Sequence, residues 1–351
     1  MQLPPILGHD RVLQRFVRSM RRGRLASSFL FLGPLGIGKR TTALYLTQCL
    51  LCETTPTDHL AACGTCQGCQ QVAALTHPDM IVVSKPQDKS FIPVESFIGD
   101  REHRMREGLC HDISLKPFRG GRKVAIVDDA DYLNQEGANC LLKTLEEPPH
   151  GSVLILIGTS EQRQLPTIRS RCQIVRFTPL SHDTVAQLLA ARCDLSSEQI
   201  EAVAHCAGGS LSRALELADT EVVETQRSLV SHLDQPGFDS HALAEEVTNF
   251  VNAAGKDAPP RRARLRYVIR AFADFYRDMM RQTVMAAHGD SERVRGCVET
   301  APPRCPLPPV VAADCLDRCL DAFAQLDANA NLPTLIACWI DDLSERARRD
   351  Q

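Results

Sequence analysis

The sequence predicts an α/β domain built on a parallel sheet, followed by all-α material in two further modules. Three observations carry this expectation. Across residues 1–178, short apolar, β-branched or aromatic runs alternate with longer helix-like stretches, as in a parallel sheet with crossover helices. Beyond Pro179 no strand signal recurs. A glycine-rich turn ending in Gly38-Lys39 stands between the first apolar run and a helical stretch over 41–51, giving a strand–turn–helix order. A chain of 351 residues exceeds what one core usually organises, which agrees with several modules.

In chain order, the expected strands are 28–32, 80–83, 123–128, 153–158 and 173–177. Pro179 breaks the pattern, and Ser181 is a candidate helix cap. Three short helices are expected over 184–192, 197–206 and 211–218, with Gly208-Gly209 between the second and third. From about residue 222 the pattern is helical, interrupted at 254–260 and by the proline-rich 301–309. The expected domains are therefore 1–178, 179–221 and 222–351. The hydrophobic and charged fractions, 44% and 24%, exclude a mostly disordered or fibrous chain. A net charge of −3 argues against a free-standing, charge-driven DNA binder. No apolar run approaches the roughly 18 residues of a membrane span. The N-terminus lacks the basic-then-apolar order of a secretory signal. A soluble, cytoplasmic protein is expected.

Gly33-Pro34-Leu35-Gly36-Ile37-Gly38-Lys39 fits the GxxxxGK core of a phosphate-binding loop. Gly33, Gly36 and Gly38 let backbone N–H groups approach phosphate oxygens, the following helix adds positive potential, and Lys39 neutralises charge. With seven lysines and 20 glycines in the chain, a chance match is about 2%, and lower once the strand–helix context is required. ATP or ADP is the expected ligand. The next residue should be Ser or Thr to ligate Mg2+, but it is Arg40, which has donors only. Thr41 lies one helical residue, about 100°, away from that position. An apolar run ending in Asp128-Asp129 resembles a Walker B strand, in which Asp128 would hold Mg2+ and the next acid would polarise water. Asp129 stands where Glu is usual and reaches about 1.5 Å less. Alone, such a strand is more often a buried strand ending in an acidic turn; beside the phosphate loop the functional reading is preferred. Mg2+-assisted hydrolysis is not expected.

Fifteen cysteines, an odd number spread along the chain, do not form a secreted disulfide framework. Eleven are scattered and read as small buried hydrophobes. Cys52, Cys63, Cys66 and Cys69 form a group that can close a tetrahedral metal site, with Gly64 and Gly68 between the last three. Zn2+ in a structural role is expected, an iron–sulfur cluster being the competing metal. Two other segments carry suggestive arginines, Arg171 before the last strand and Arg213 after Gly208-Gly209. With 33 arginines among the 40 basic residues, surface charge is the default for either. Seven more arginines fall in 261–281, and Arg262, Arg266 and Arg270 share one helix face. A solvated face or a subunit contact is preferred there to a DNA contact.

Taken together, these segments resemble the clamp-loader branch of the AAA+ ATPases, within it the delta-prime family of bacterial DNA polymerase III. Ile6-Leu7-Gly8-His9 resembles the opening I-x-G-Q turn, with His9 replacing Gln. The four-cysteine insertion and the following His77-Pro78-Asp79 resemble the clamp-loader zinc module. Residues 143–149, KTLEEPP, match the LLKTLEEPP segment of the branch, and Ser170-Arg171-Cys172 matches its SRC motif. Asn329-Ala330-Asn331 ahead of a helix resembles the collar. The resemblance implies an AAA+ P-loop module (1–178) with the zinc insertion at about 52–69, a helical lid (179–221) and an oligomerising collar (222–351). It implies that Arg171 is an arginine finger acting in trans, that Thr159 lies near the sensor-1 position and that Arg213 takes the sensor-2 position. The implied partners are tau/gamma and delta subunits in a hetero-oligomeric ring, the sliding clamp, and primer–template DNA through the complex. The motor subunits keep the Ser/Thr after the loop lysine and the Walker B Glu; this chain keeps neither, which favours a delta-prime type with weak or no ATPase of its own. The alternatives are an ATP-hydrolysing tau/gamma-like motor, a remodelling ATPase outside replication, and a zinc-stabilised scaffold without a nucleotide role.

Overall fold

The computed structural model describes residues 3–348 except 5, 57–59, 87–88, 120, 236, 256 and 289–306; for 220–223, 226–227 and 282–288 it describes the backbone alone. The chain divides into two compact units, Met1–Leu215 and Glu216–Gln351. The first contains a five-stranded sheet of β1 (Ser28–Leu32), β2 (Met80–Val83), β3 (Lys123–Val127), β4 (Ser152–Gly158) and β5 (Gln173–Arg176), ordered β2-β3-β4-β1-β5 and parallel throughout. All five residues of β1, all five of β3 and all seven of β4 are buried. Helices cover both faces of a parallel sheet, so central strands read as unbroken apolar runs, and the expected strands fall within one residue of those observed. At the edge, β5 buries only Val175 and exposes Gln173 and Arg176 at its two ends.

Adjacent parallel strands end on the same side. The residues after β1, β3 and β4 therefore meet along one edge of the sheet, where open α/β sheets place their ligands. Three short helices close the unit: His182–Ala190, Ser197–Cys206 and Leu211–Ala218, the last running across the boundary between the units. Ser181 caps the first by accepting from Thr184 N, so that helix starts two residues before the expected position. Ser196 and Gln199 form a reciprocal capping box on the second.

The second unit is helical: Thr220–Leu233, Ser240–Asn252, Ala258–His288, Pro309–Asp327 and Leu332–Arg348. A break is observed between the second and third of these helices, but the third already begins at Ala258, inside the expected interruption at 254–260; residues 301–306 of the proline-rich stretch lie outside the described residues. Its core centres on Trp339, fully buried, with Phe272 at 5.0 Å between ring centroids. The arginine face is spent inside this unit. Arg262 donates to the carbonyls of Leu326 (3.0 Å) and Ala330 (3.2 Å), capping the end of helix Pro309–Asp327. Arg266 pairs with Asp327, and Arg270 with Glu216 at 2.8 Å. No helix among the described residues is long and apolar enough to cross a membrane.

Candidate functional site

After β1 the chain turns through Gly33 to Gly38 into helix Lys39–Leu50, which Gly38 caps with φ 97°. Gly36 has φ 75°, and its carbonyl accepts from the N–H groups of Leu211 (3.0 Å) and Ser212 (3.4 Å). A Cβ on Gly36 would lie 2.3 Å from Ser210 Oγ and 2.7 Å from Ser212 Cβ, so only glycine lets the loop meet helix Leu211–Ala218 this closely. That helix carries Arg213 in its first turn, with Arg213 N donating to Ser210 Oγ at 3.3 Å. On the loop's other flank, buried His9 has Nε2 2.6 Å from the Ile37 carbonyl and meets Phe177 edge-on at 4.9 Å.

Lys39 is 6% exposed and donates to the carbonyls of Gly33 (2.6 Å) and Pro34 (2.5 Å). Burial lowers its pKa from the ordinary 10.5, against the raising influence of Asp131, Asp128 and Asp129. Two of its three ammonium hydrogens are used, leaving one for an anion in the loop. Thr41 is half-buried on the same helix, while Thr42 is turned inward and donates Oγ1 to the Gly38 carbonyl at 2.9 Å.

The acids lie beside this loop, each already engaged. Asp128 follows β3 and accepts from Asp129 N at 3.1 Å through Oδ1; its Oδ2 lies 3.4 Å from Arg40 Nε. Asp129 takes a left-handed φ of 58° and accepts from the backbone N–H of Lys85. Its carboxyl is raised above the usual range, chiefly by burial and then by Asp128, against Lys85 and Arg40. Asp131, in the turn Ala130–Tyr132, accepts from Thr159 N (3.0 Å), Thr159 Oγ1 (2.6 Å) and Gln164 Nε2. The structure thus gathers Gly33, Gly36, Gly38, Lys39, Asp128, Asp129, Thr159 and the helix of Arg213 along one sheet edge. Asp131 and Gln164, which hold Thr159, have no motif in the sequence to mark them. The loop fits phosphate. The acids do not fit Mg2+, because the residue after Lys39 offers no oxygen and the carboxylates face donors.

The four cysteines converge elsewhere, on the excursion between helix Lys39–Leu50 and β2. Their sulfurs all lie within 4.8 Å of one another, with Cys52–Cys66 at 3.9 Å and Cys63–Cys69 at 3.8 Å. Zinc–sulfur bonds of about 2.3 Å imply sulfurs about 3.8 Å apart in a tetrahedron, so the group fits Zn2+. Backbone N–H groups donate to Cys63 Sγ (from Cys66, 3.2 Å) and Cys66 Sγ (from Cys69, 3.4 Å), which suits thiolates. Hydrogen bonds from Thr54, then from the Cys66 and Thr65 amides, bring the Cys63 thiol down to about 6. Burial pushes Cys69 up. A metal held by Cys52, Cys63, Cys66 and Cys69 would supply folding energy.

Arg171 precedes β5 and so lies at the opposite edge of the sheet from the loop, separated by the length of β5, about 13 Å at roughly 3.3 Å per residue. Its guanidinium is held by Glu146 (Nε–Oε1, 2.7 Å), the Thr167 carbonyl (3.1 Å) and Ser170 Oγ (3.2 Å). Glu146, in the KTLEEPP segment, is the partner that local sequence could not supply. Arg169, two residues earlier, points instead to Glu161.

Among known families, the one described as DNA polymerase III, delta subunit, matches residues 8–181. The chain is 35% identical over 211 residues to the delta' subunit of DNA polymerase III of Pseudomonas aeruginosa, covering 60% of this chain and 61% of that one. It is 31% identical over 220 residues to the delta' subunit of Escherichia coli, covering 63% of each. Against the tau subunit of Escherichia coli the identity is 31% over 225 residues, covering 62% of this chain and 32% of tau. The matches span less than two thirds of the length of these relatives.

Proposed function

We propose that the chain, similar to delta' and tau subunits of DNA polymerase III, is a clamp-loader protein of the AAA+ type and acts as a delta-prime-like subunit of the DNA polymerase III clamp loader. In this reading residues 1–178 are the AAA+ module, 179–221 its lid and 222–351 a collar. Through the collar the chain joins tau/gamma and delta subunits in a cytoplasmic, hetero-oligomeric ring that loads the sliding clamp onto primer–template DNA. Arg171 reaches ATP bound by the neighbouring subunit and stabilises charge developing on the transferring phosphoryl group, a contribution worth about 10³–10⁵ in rate in other NTPases.

The position of Arg171 carries this reading. It is partly exposed, at the sheet edge opposite the chain's own loop, which supports an action on a nucleotide held by another chain. The chain's own site supports the same division of labour: Arg40 replaces the Mg2+ ligand, and Asp129 is a short base already held by Lys85 N. The test is steady-state ATPase of reconstituted complexes, with assembly checked by gel filtration. Arg171→Ala should assemble normally, since truncating a partly exposed arginine costs little stability. DNA-stimulated ATPase and clamp loading should fall by about tenfold or more, and Arg169→Ala should change them much less. Full activity with Arg171→Ala would remove the case for a trans-acting finger. A robust Mg2+-dependent ATPase from the purified chain would replace the delta-prime reading with a motor.

A further inference from the structure

The phosphate and cation halves of the nucleotide site have diverged. The phosphate half is complete: a glycine loop, a helix N-terminus behind it, and a buried Lys39 with one ammonium hydrogen left for an anion. The cation half is filled by the protein's own donors. Asp128 faces Arg40 and Asp129 N, Asp129 accepts from Lys85 N, and Asp131 is enclosed by Thr159 and Gln164. A divalent ion entering here would have to displace a guanidinium and would find no hydroxyl on the residue after Lys39.

We propose that this loop binds a nucleoside di- or triphosphate in its metal-free form, with the Arg40 guanidinium against Asp128 standing where a bound divalent cation would otherwise lie. Arg40 is half-exposed, 49% by side chain, and sits on the first turn of the loop's helix, so its remaining N–H groups are available to terminal phosphate oxygens. Guanidinium and ammonium together supply two positive charges with fixed donors. Mg2+ in solution occupies the same β- and γ-oxygens that these donors need, so it competes with the protein for the nucleotide. The binding is an equilibrium with no bond made or broken in the nucleotide. It concerns the chain's own loop and holds whether or not Arg171 acts in trans.

The experiment is calorimetric titration of the full chain with ADP and with ATP, in excess Mg2+ and again in EDTA. The wild type should bind equally well or more tightly in EDTA. Arg40→Thr restores the hydroxyl ligand and releases Asp128; its affinity should become Mg2+-dependent, about tenfold tighter with the metal than without. Arg40→Ser, a smaller replacement, should behave alike, and a thermal melt confirms that each variant is folded. Lys39→Ala should lose binding under both conditions. Wild-type affinity that is several-fold higher with Mg2+ would overturn the proposal, as would no binding at millimolar nucleotide under either condition. Folded Arg40→Thr and Arg40→Ser that both remain indifferent to Mg2+ would overturn the role given to Arg40.

Discussion

The cysteine cluster and the phosphate loop lie at the two ends of one helix, Lys39–Leu50, yet they have kept different amounts of their chemistry. In the cluster, four sulfurs converge at tetrahedral spacing, and amide donors point at two of them. In the loop, the glycines and the lysine are in place, but the acids that usually serve a metal, Asp128 and Asp129, are paired with Arg40 and Lys85 N, and Asp131 beside them with Thr159 and Gln164. A ligand site survives when its donors remain uncommitted. When a donor such as Arg40 enters the shell, the same carboxylate changes from a metal ligand into half of an ion pair.

The largest effect expected from breaking this comparison is at the cluster. Purified under reducing conditions, the protein should hold one zinc per chain, and Cys66→Ser or a strong chelator should remove it. Stability should fall by roughly 3–5 kcal/mol, below the 10–16 kcal/mol of isolated zinc-finger peptides because the site staples an excursion and not the whole fold. Circular dichroism should retain the α/β signal while the melting temperature drops. Elemental analysis finding no metal, or iron with visible charge-transfer bands, would sink this expectation.

The two sites also differ in how far the sequence revealed them. The cysteines declare themselves because their ligands are close in the chain and their spacing is chemically specific. The strands were legible because burial on both faces leaves an unbroken apolar run, as in Ser152–Gly158. The pairings that decide the loop's chemistry were hidden by distance along the chain. Arg40 meets Asp128 only because β1 and β3 flank β4, and Asp131 meets Thr159 only because β3 and β4 are neighbours in register. The arginines of helix Ala258–His288 make the same point: periodicity puts Arg262 and Arg266 on one face, but their partners, Leu326, Ala330 and Asp327, are on another helix or just after it.

A pair of glycines sharpens the comparison at intermediate cost. Gly36 in the loop and Gly64 in the cluster have nearly the same left-handed backbone, φ 75° and 73°. A Cβ on Gly64 meets nothing within 4 Å, whereas one on Gly36 meets Ser210 and Ser212. Gly64→Ala should cost only the backbone strain, about 1 kcal/mol. Gly36→Ala adds overpacking against Ser212 Cβ and should cost about 3 kcal/mol in all. Urea denaturation of both variants measures the difference. Equal losses would mean that helix Leu211–Ala218 does not hold the loop.

The smallest effect is a pH dependence confined to the loop. Lys39 has a folded pKa below the ordinary 10.5, set by burial against the three acids. The sign follows from the charged form being the disfavoured one: the folded protein bears a cost for the buried ammonium at low pH, and that cost disappears as pH rises towards 10.5. Nucleotide binding depends on pH in the opposite sense, because only the ammonium attracts phosphate. Affinity for ADP should be level at neutral pH, where the last phosphate proton, with a pKa of about 6, is already largely gone. It should then decline as pH rises through the lowered Lys39 pKa, approaching about tenfold per pH unit, the slope of a single proton. Lys39→Arg keeps its charge throughout this range, so any binding it retains should stay level with pH. Titrations at a series of pH values up to about 10, with folding checked at each, separate the two. A wild-type profile as flat as that of Lys39→Arg would show that the Lys39 ammonium contributes nothing to binding, leaving the glycine amides and Arg40 to hold the phosphate.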